Sequence, residues 1–280
     1  MNAAVVGAIA VWLGGWWLNT RLTRGTLRGA ARLLPPLVFG VSLLLFWELM
    51  VRGLNVNPVL LPAPSAIAAR IASSGSVLRQ DVAQTFFKGA LTGYVIGCGA
   101  AFLTGVLVDR VPFLRRGLLP VGNFVAALPI VGMAPIMVMW FGFDWQSKAA
   151  IVVLMVFFPM LVNTVLGLAA ADPMQRDLMR TYAATERQAL FNLRLPSAAP
   201  FLFNGLKICT TLALIGAIVA EFFGSPTRGM GFRISTAVGR LALDMVWAEI
   251  AVAAAVGSAF YGVVALIERS ATFWHPAQRA

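Results

Sequence analysis

The chain has 280 residues, of which 59% are hydrophobic and 12% charged, with a mean hydropathy of +0.82 and a formal net charge of +11. Soluble domains carry about 25% charged residues, so too few charges are present to cover a water-facing surface, and an integral membrane protein is indicated. The basic residues fall mostly in clusters between apolar runs, which points to anionic headgroups and membrane orientation rather than to nucleic acid.

A helix crossing a bilayer needs roughly 20 mostly apolar residues. The first apolar run, 2–18, is short, and no basic residue precedes Arg21. Signal peptides begin with a basic region, so the run reads either as an uncleaved N-terminal helix or as an interfacial or poorly ordered N-terminus, followed to residue 33 by a basic linker with Arg21, Arg24, Arg28 and Arg32. Six longer runs follow, at 34–52, 88–108, 118–140, 149–170, 202–223 and 246–267.

Between the first two of these lies "NPVLLPAPSAIAARIASSGSVLRQDVAQTFF". Its Pro-rich start reads as extended, and from about Ser65 the pattern turns helical. Ala66, Ile67, Ile71 and Val77 give that helix an apolar side, as expected of one lying at the membrane interface. In the run 88–108, Gly89, Gly93, Gly97, Ala101 and Gly105 recur every fourth residue. Such small residues let helix backbones approach closely in lipid.

The run 118–140 contains "ALPIVGMAP", with Pro129, Met133 and Pro135, and the run 149–170 contains "FFPMLVNT", with Pro159 and Asn163. Proline frees a backbone carbonyl, which lipid does not tolerate but a protein-lined or watery cavity does. The prolines therefore read either as kinks buried between helices or as breaks beside a pathway. Asn163 reads either as an interhelical hydrogen-bonding group or as a pathway lining. The run 202–223 repeats the small-residue stripe at Gly205, Cys209, Ala213 and Ala217, which makes Cys209 a packing residue, and adds the polar pair Thr210 and Thr211. Pro129, Met133, Asn163, Thr210 and Thr211 are the candidate pathway residues. Glu221 closes the run in "IVAEFFGSPTRGMG" and reads either as part of an outer gate or as a solvated group at the membrane edge.

Orientation follows from Lys and Arg in the loops. The densest clusters are Arg21 to Arg32, Arg110 with Arg115 and Arg116, and Arg176, Arg180, Arg187 and Arg194. These share one side, with the tail at Arg269 and Arg279, and that side is assigned to the cytoplasm. Arg52, Arg70, Arg79, Lys88, Lys148, Arg228, Arg233 and Arg240 fall outside.

A cytoplasmic segment, "YAATERQALFNLRLP", is short, polar and helix-like. Thr185 followed three residues later by Gln188 is a capping box, and Pro196 ends the pattern. Phe191 is a large aromatic on a short exposed helix, as expected of a side chain that docks into a partner's groove.

Two other classes fit less well. An ion-coupled secondary transporter remains the alternative, but such proteins place ionisable groups in the membrane interior, whereas Glu48, Glu221 and Glu249 fall near run ends. Enzyme chemistry lacks its residues: the single histidine, His275, is in the tail, and Cys98 and Cys209 sit in apolar runs. No G-x-x-x-x-G-K-[ST] phosphate loop occurs, so ATP hydrolysis is not expected of this chain.

The stretch "YAATERQALFNLRLPSAAPFLFNGLKI" resembles the signature cytoplasmic loop of permease subunits from binding-protein-dependent ABC importers. That loop reads Glu-Ala-Ala, three residues, Gly, nine residues, Ile, one residue, Leu-Pro. With Leu195-Pro196 at its end, Leu193 takes the Ile position, Ala183 the Gly position and Asp177-Leu178-Met179 the triplet. Glycine freely allows positive φ, so Ala183 either turns at negative φ or is strained. "LLPAPSAI", "LPIVGMAPIMVMWFG", "KAAIVVLMVFFPMLVNT", "AEFFGSPTRGMGFRI" and the final "FWHP" are similar to the nitrate, sulfonate and taurine-type branch.

The resemblance implies an all-α, type I ABC importer permease with six main transmembrane helices and a possible extra N-terminal helix. The domain division is 1–33, the N-terminal segment and linker, and 34–280, the transmembrane domain, with a coupling loop at 171–200. It implies a bacterial inner-membrane location with the C-terminus cytoplasmic. The partners implied are a dimer of ABC ATPase subunits, a second, identical permease subunit, a soluble substrate-binding protein and the lipid bilayer. No cofactor is expected on this chain, with ATP and Mg on the ATPase subunits. Ala183, Ala184, Thr185, Glu186, Arg187, Gln188 and Phe191 are the residues expected to couple the two. The substrate stays open.

Overall fold

The computed structural model describes residues 3–25, 29–111, 117, 129–224 and 227–274, and among these no strand occurs. Helix α1 spans Ala3–Thr23, a 3-10 turn covers Gly29–Leu33, α2 is Leu34–Gly53, α3 Pro64–Ser73 and α4 Gly75–Val82. A π-helical stretch, Ala83–Leu91, leads into α5, Thr92–Arg110. Then come α6, Ile130–Phe141, α7, Trp145–Ala169, α8, Pro173–Thr181, and α9, Glu186–Ala189. A second π stretch, Leu190–Arg194, feeds α10, Leu195–Glu221; α11 is Met230–Gly239 and α12 Leu243–Ala271.

Among the described residues, six helical stretches are long and apolar enough to cross a membrane: Ala3–Thr23, Ala31–Gly53, Gly75–Arg110, Trp145–Ala169, Glu186–Glu221 and Leu243–Ala271. The N-terminal run belongs to this set. Of the expected run 118–140, residues 118–128 lie outside the described residues, and the rest forms the 12-residue α6. His275 and the end of the "FWHP" tail also lie outside them.

By contacts the chain forms two compact units, Met1–Ser76 with Ile234–Ala251, and Val77–Arg233 with Val252–Ala280. In the first, α1 packs on α2 so closely that a Cβ on Gly15 would lie 2.1 Å from Ser42 Oγ. Trp12 adds ring contacts to Phe39 and Phe46 at 6.0 and 5.5 Å between centroids. Pro64 begins α3, where a missing N–H costs nothing. Glu48 holds that helix start, accepting from Ser65 N at 2.9 Å and Ser65 Oγ at 2.8 Å, a carboxylate at the positive end of a helix dipole. Ile67 is buried, as its place on the apolar side requires.

In the second unit the small-residue stripes are helix contacts. A Cβ on Gly93 would meet Val152 Cβ at 2.6 Å, one on Gly97 would meet Val156 Cγ2 at 2.4 Å, and one on Gly105 would meet Thr164 Cγ2 at 2.5 Å. Helix α5 therefore lies against α7 with almost nothing between the backbones, the geometry lipid favours. On the other side of α7, α10 approaches through Gly205, whose Cβ would lie 2.9 Å from Asn163 Cβ. Cys209, Ala213 and Ala217 are fully buried in the same seam. Cys209 Sγ donates to the Val156 carbonyl at 3.4 Å, and its neighbour Cys98 is likewise a free, buried thiol in the same core.

Candidate functional site

The ends of α5, α7 and α10 build two polar assemblies, one at each end of the second unit. The first begins where α7 stops. Asp172 N-caps α8, its Oδ1 accepting from Met174 N at 2.9 Å. Helix α8 ends with Ala183 N donating to Arg180 O and Ala184 N donating to Met179 O, both at 2.9 Å. These are the paired bonds of a Schellman motif, which requires a left-handed residue between them. Ala183 is that residue, at φ +51°. The strained one of the two expected alternatives is therefore the one found, and a left-handed L-residue costs roughly 1–2 kcal/mol.

Chain reversal at Ala183 and Ala184 leads straight into the capping box. Thr185 N donates to Gln188 Oε1 at 2.8 Å, and Gln188 N donates to Thr185 Oγ1 at 3.3 Å. Two N–H groups of a one-turn helix are thus satisfied by side chains. Leu190 turns inward against Leu168 and Ala198. Phe191 turns outward and is 57% exposed, with the Arg187 guanidinium 6.0 Å above its ring. Glu186, Arg187 and Gln188 are exposed. Met174, Leu178 and Tyr182 extend the exposed apolar surface along α8.

Two arginines fix this segment to the bundle. Arg194 donates to Asp109 Oδ1 on α5 at 2.6 Å and to the Leu168 carbonyl at 3.1 Å. Arg176 donates to the Ala169 carbonyl at 2.7 Å. The last carbonyls of a helix have no partner within it, so two cations here both satisfy α7 and favour its dipole. Arg176, Arg194 and Asp109 join the segment rigidly to α5 and α7.

The opposite assembly is buried. Glu221 at the end of α10 is 2% exposed, so the reading as a solvated edge group is corrected: bundle packing encloses it. Its carboxylate accepts from Thr85 Oγ1 at 2.9 Å and from Gly231 N at 2.8 Å. Thr85 in turn accepts from Met230 N at 2.7 Å. Asp81 accepts from Gly229 N at 2.7 Å and pairs with Arg233 Nε at 2.8 Å. The N–H groups that open α11 are therefore capped from α4, the π stretch and α10, with negative charge at the helix's positive end. Gly229 sits at φ +122°, and a Cβ there would lie 2.4 Å from Glu221 Oε1; both demands admit glycine alone.

Lys148, counted above among the outer loop charges, is instead fully buried at the start of α7 and donates to the Phe143 carbonyl. Its charge interacts with Glu221 and Asp144. Gln84 donates to Asp144 Oδ1 at 2.9 Å, and this hydrogen bond holds the Asp144 carboxyl below its ordinary range. Asp81 and Thr85 lie before the run at 88 and so escape a hydropathy reading. Their i, i+4 spacing in "RQDVAQTFF" was the available signal, since it places both on one helix face.

The five pathway candidates make separate local contacts. Pro129 stands at the start of α6, and Pro135 and Pro159 lie within continuous helices. Met133 packs with Ala134, Met137, Ile151 and Ala220. Asn163 donates to the Pro159 carbonyl at 2.8 Å and accepts from Asn204 Nδ2 on α10 at 3.1 Å, which makes the interhelical alternative the observed one. Thr210 is buried and donates to the Lys207 carbonyl at 2.7 Å. Thr211 faces an open groove. Among the described residues no group of three or more His, Cys, Asp or Glu converges to hold a metal.

Close-packed apolar helices with a capped polar segment at one end define a multi-pass helical membrane protein. Residues 93–273 match the family described as binding-protein-dependent transport system inner membrane component, and the chain belongs to that family. It is 34% identical over 203 residues to a formylaminopyrimidine transport permease of Halalkalibacterium halodurans, covering 71% of this chain and 79% of that protein. A riboflavin transport system permease of Chloroflexus aurantiacus is 30% identical over 234 residues, covering 83% and 87%. A putative aliphatic sulfonates transport permease of Bacillus subtilis is 28% identical over 246 residues, covering 86% of each. The fold is the type I ABC permease fold, of the nitrate, sulfonate and taurine-type branch.

Proposed function

We propose that this chain is the pathway-forming subunit of an ATP-driven importer and that residues 171–200 seat it in a separate ATPase. The observation that carries the reading is Phe191. It is an exposed aromatic in the π stretch Leu190–Arg194, which continues a one-turn helix capped at its start and is tied at its end, through Arg194, to α5 and α7. A partner that moves this segment moves those helices. Phe191 is the apolar anchor, Glu186 and Arg187 form its rim, and Ala183, Ala184, Thr185 and Gln188 set its direction. ATP and Mg belong to a dimer of ATPase subunits, and this chain binds no cofactor. A second, identical permease completes the pathway, and a soluble binding protein delivers a small solute from outside. The buried cluster around Glu221 is the outer gate in its closed arrangement. Residues 34–280 form the transmembrane domain, preceded by the hydrophobic segment and linker at 1–33, and the C-terminus faces the cytoplasm.

At two of the buried carboxylates, Asp81 and Glu221, the ion-coupled alternative is disfavoured by their partners. Asp81 and Glu221 are occupied by N–H donors, a hydroxyl and Arg233. Uptake into cells separates the two: it should depend on ATP and survive an uncoupler, and uptake abolished by the uncoupler with ATP maintained would favour ion coupling. Cysteine labelling in intact cells tests orientation, with Thr185→Cys expected to resist a membrane-impermeant reagent.

A further inference from the structure

Helices α10 and α12 enclose an open groove of about 550 Å³, within the roughly 300–1,000 Å³ of small-molecule sites. Thr211 and Ile215 line one wall, and Ala254, Gly257, Ser258 and Tyr261 the other. No lining residue is charged. The cation one turn away on α10, Lys207, is already paired with Glu268 at 2.7 Å. Towards the other end, Glu221 is buried and held by Thr85 and Gly231. An anion entering here would lose its hydration and meet no cation, an arrangement costly for any charged solute.

The polar groups present are three hydroxyls, on Thr211, Ser258 and Tyr261, and none is hydrogen-bonded among the described residues. Tyr261 is half-exposed. Its neighbour Phe260 turns the other way, edge-on to Phe86 and Tyr94 at 5.2 and 4.9 Å. The groove thus offers one aromatic face, hydroxyls that donate and accept, and a wall of small residues. A lipid chain would leave all three hydroxyls without partners, which an apolar surrounding penalises. A flat, uncharged ring bearing nitrogen and oxygen atoms satisfies them and stacks on Tyr261.

We infer that this groove is the contact site for an uncharged heteroaromatic solute in transit. The inference rests on the importer reading and narrows it. The names of two relatives carry solutes of this class, formylaminopyrimidine and riboflavin, whereas those of others carry aliphatic sulfonates and taurine.

The test uses the full-length permease, reconstituted in proteoliposomes with its ATPase and binding protein, and labelled formylaminopyrimidine, riboflavin and taurine as probes. At least one of the two ring compounds should be taken up and taurine should not. Tyr261→Ala and the double variant Thr211→Val, Ser258→Ala should each lower ring-compound uptake by about tenfold. Tyr261→Phe keeps the stacking face and should show only the smaller loss that belongs to the hydroxyl. All these positions are exposed or lie on the groove wall, and permease abundance checks folding. Uptake of taurine without either ring compound overturns the solute class. Full ring-compound uptake in both groove variants overturns the site and leaves the groove to lipid or to a second copy. Retention of the ATPase by the wild-type permease is read on the same preparation. Its loss counts against the importer reading, and its presence alongside either failure above counts against this inference alone.

Discussion

The two ends of the second unit handle polarity in opposite ways. At the end carrying residues 171–200, charge serves as a tether: Arg194 and Arg176 bind helix ends, and the apolar side chains Phe191, Tyr182 and Met174 point outward. At the other end charge is enclosed: Asp81 and Glu221 are buried and aim at the N–H groups opening α11. A π stretch lies at each, Leu190–Arg194 and Ala83–Leu91, where a wider turn re-aims Phe191 and Thr85. One end presents apolar side chains on the surface and the other encloses charge within the chain, so the same type of substitution should have different consequences at each.

The largest stability effect is expected at the enclosed end. Asp81→Ala removes one partner of a partly buried Arg233 and the acceptor of Gly229 N, and breaking a buried pair on one side costs about 3–5 kcal/mol. Permease abundance and thermal unfolding in detergent should both fall sharply. An unchanged melting temperature would mean the cluster is not closed in the resting protein. Next comes Arg194→Ala, which removes the tie to Asp109 and to the end of α7. A charge-assisted hydrogen bond is worth about 1.5–3 kcal/mol, and transport should fall further than stability does. Equal losses in the two readouts would make Arg194 a plain structural residue. The smallest effect has the opposite sign. Ala183→Gly relieves the left-handed turn and should stabilise by about 1 kcal/mol, a rise of a few degrees in melting temperature; a decrease would mean the turn is not strained.

What the sequence revealed was local. The capping box at Thr185 and Gln188 was legible because both partners lie within one helical turn. The stripe from Gly93 to Gly105 was legible because helix periodicity puts those positions on one face, and the structure fills that face with α7. Ala183 was flagged as a turn position, and its φ resolved which way it turns. The enclosed cluster was not legible because it is long-range. Asp81 meets Arg233 across 152 positions, and Thr85 meets Glu221 across 136. Lys148 was misplaced for a related reason: hydropathy places a lysine at a run's edge in water, whereas the Phe143 carbonyl and neighbouring carboxylates make burial tolerable.

The coupling role proposed for the first end stands most directly on one measurement: how much ATPase is retained by a Phe191→Ala permease. With 57% of its surface exposed, Phe191 contributes little to the permease's own packing, so abundance and melting temperature should match wild type. A truncated aromatic anchor at an interface often costs more than about 2 kcal/mol, roughly a thirtyfold loss of association. ATPase co-purification and uptake should therefore fall together while the permease stays intact. Wild-type retention and uptake would show that the anchor is elsewhere, and loss of the permease itself would show that Phe191 packs inward.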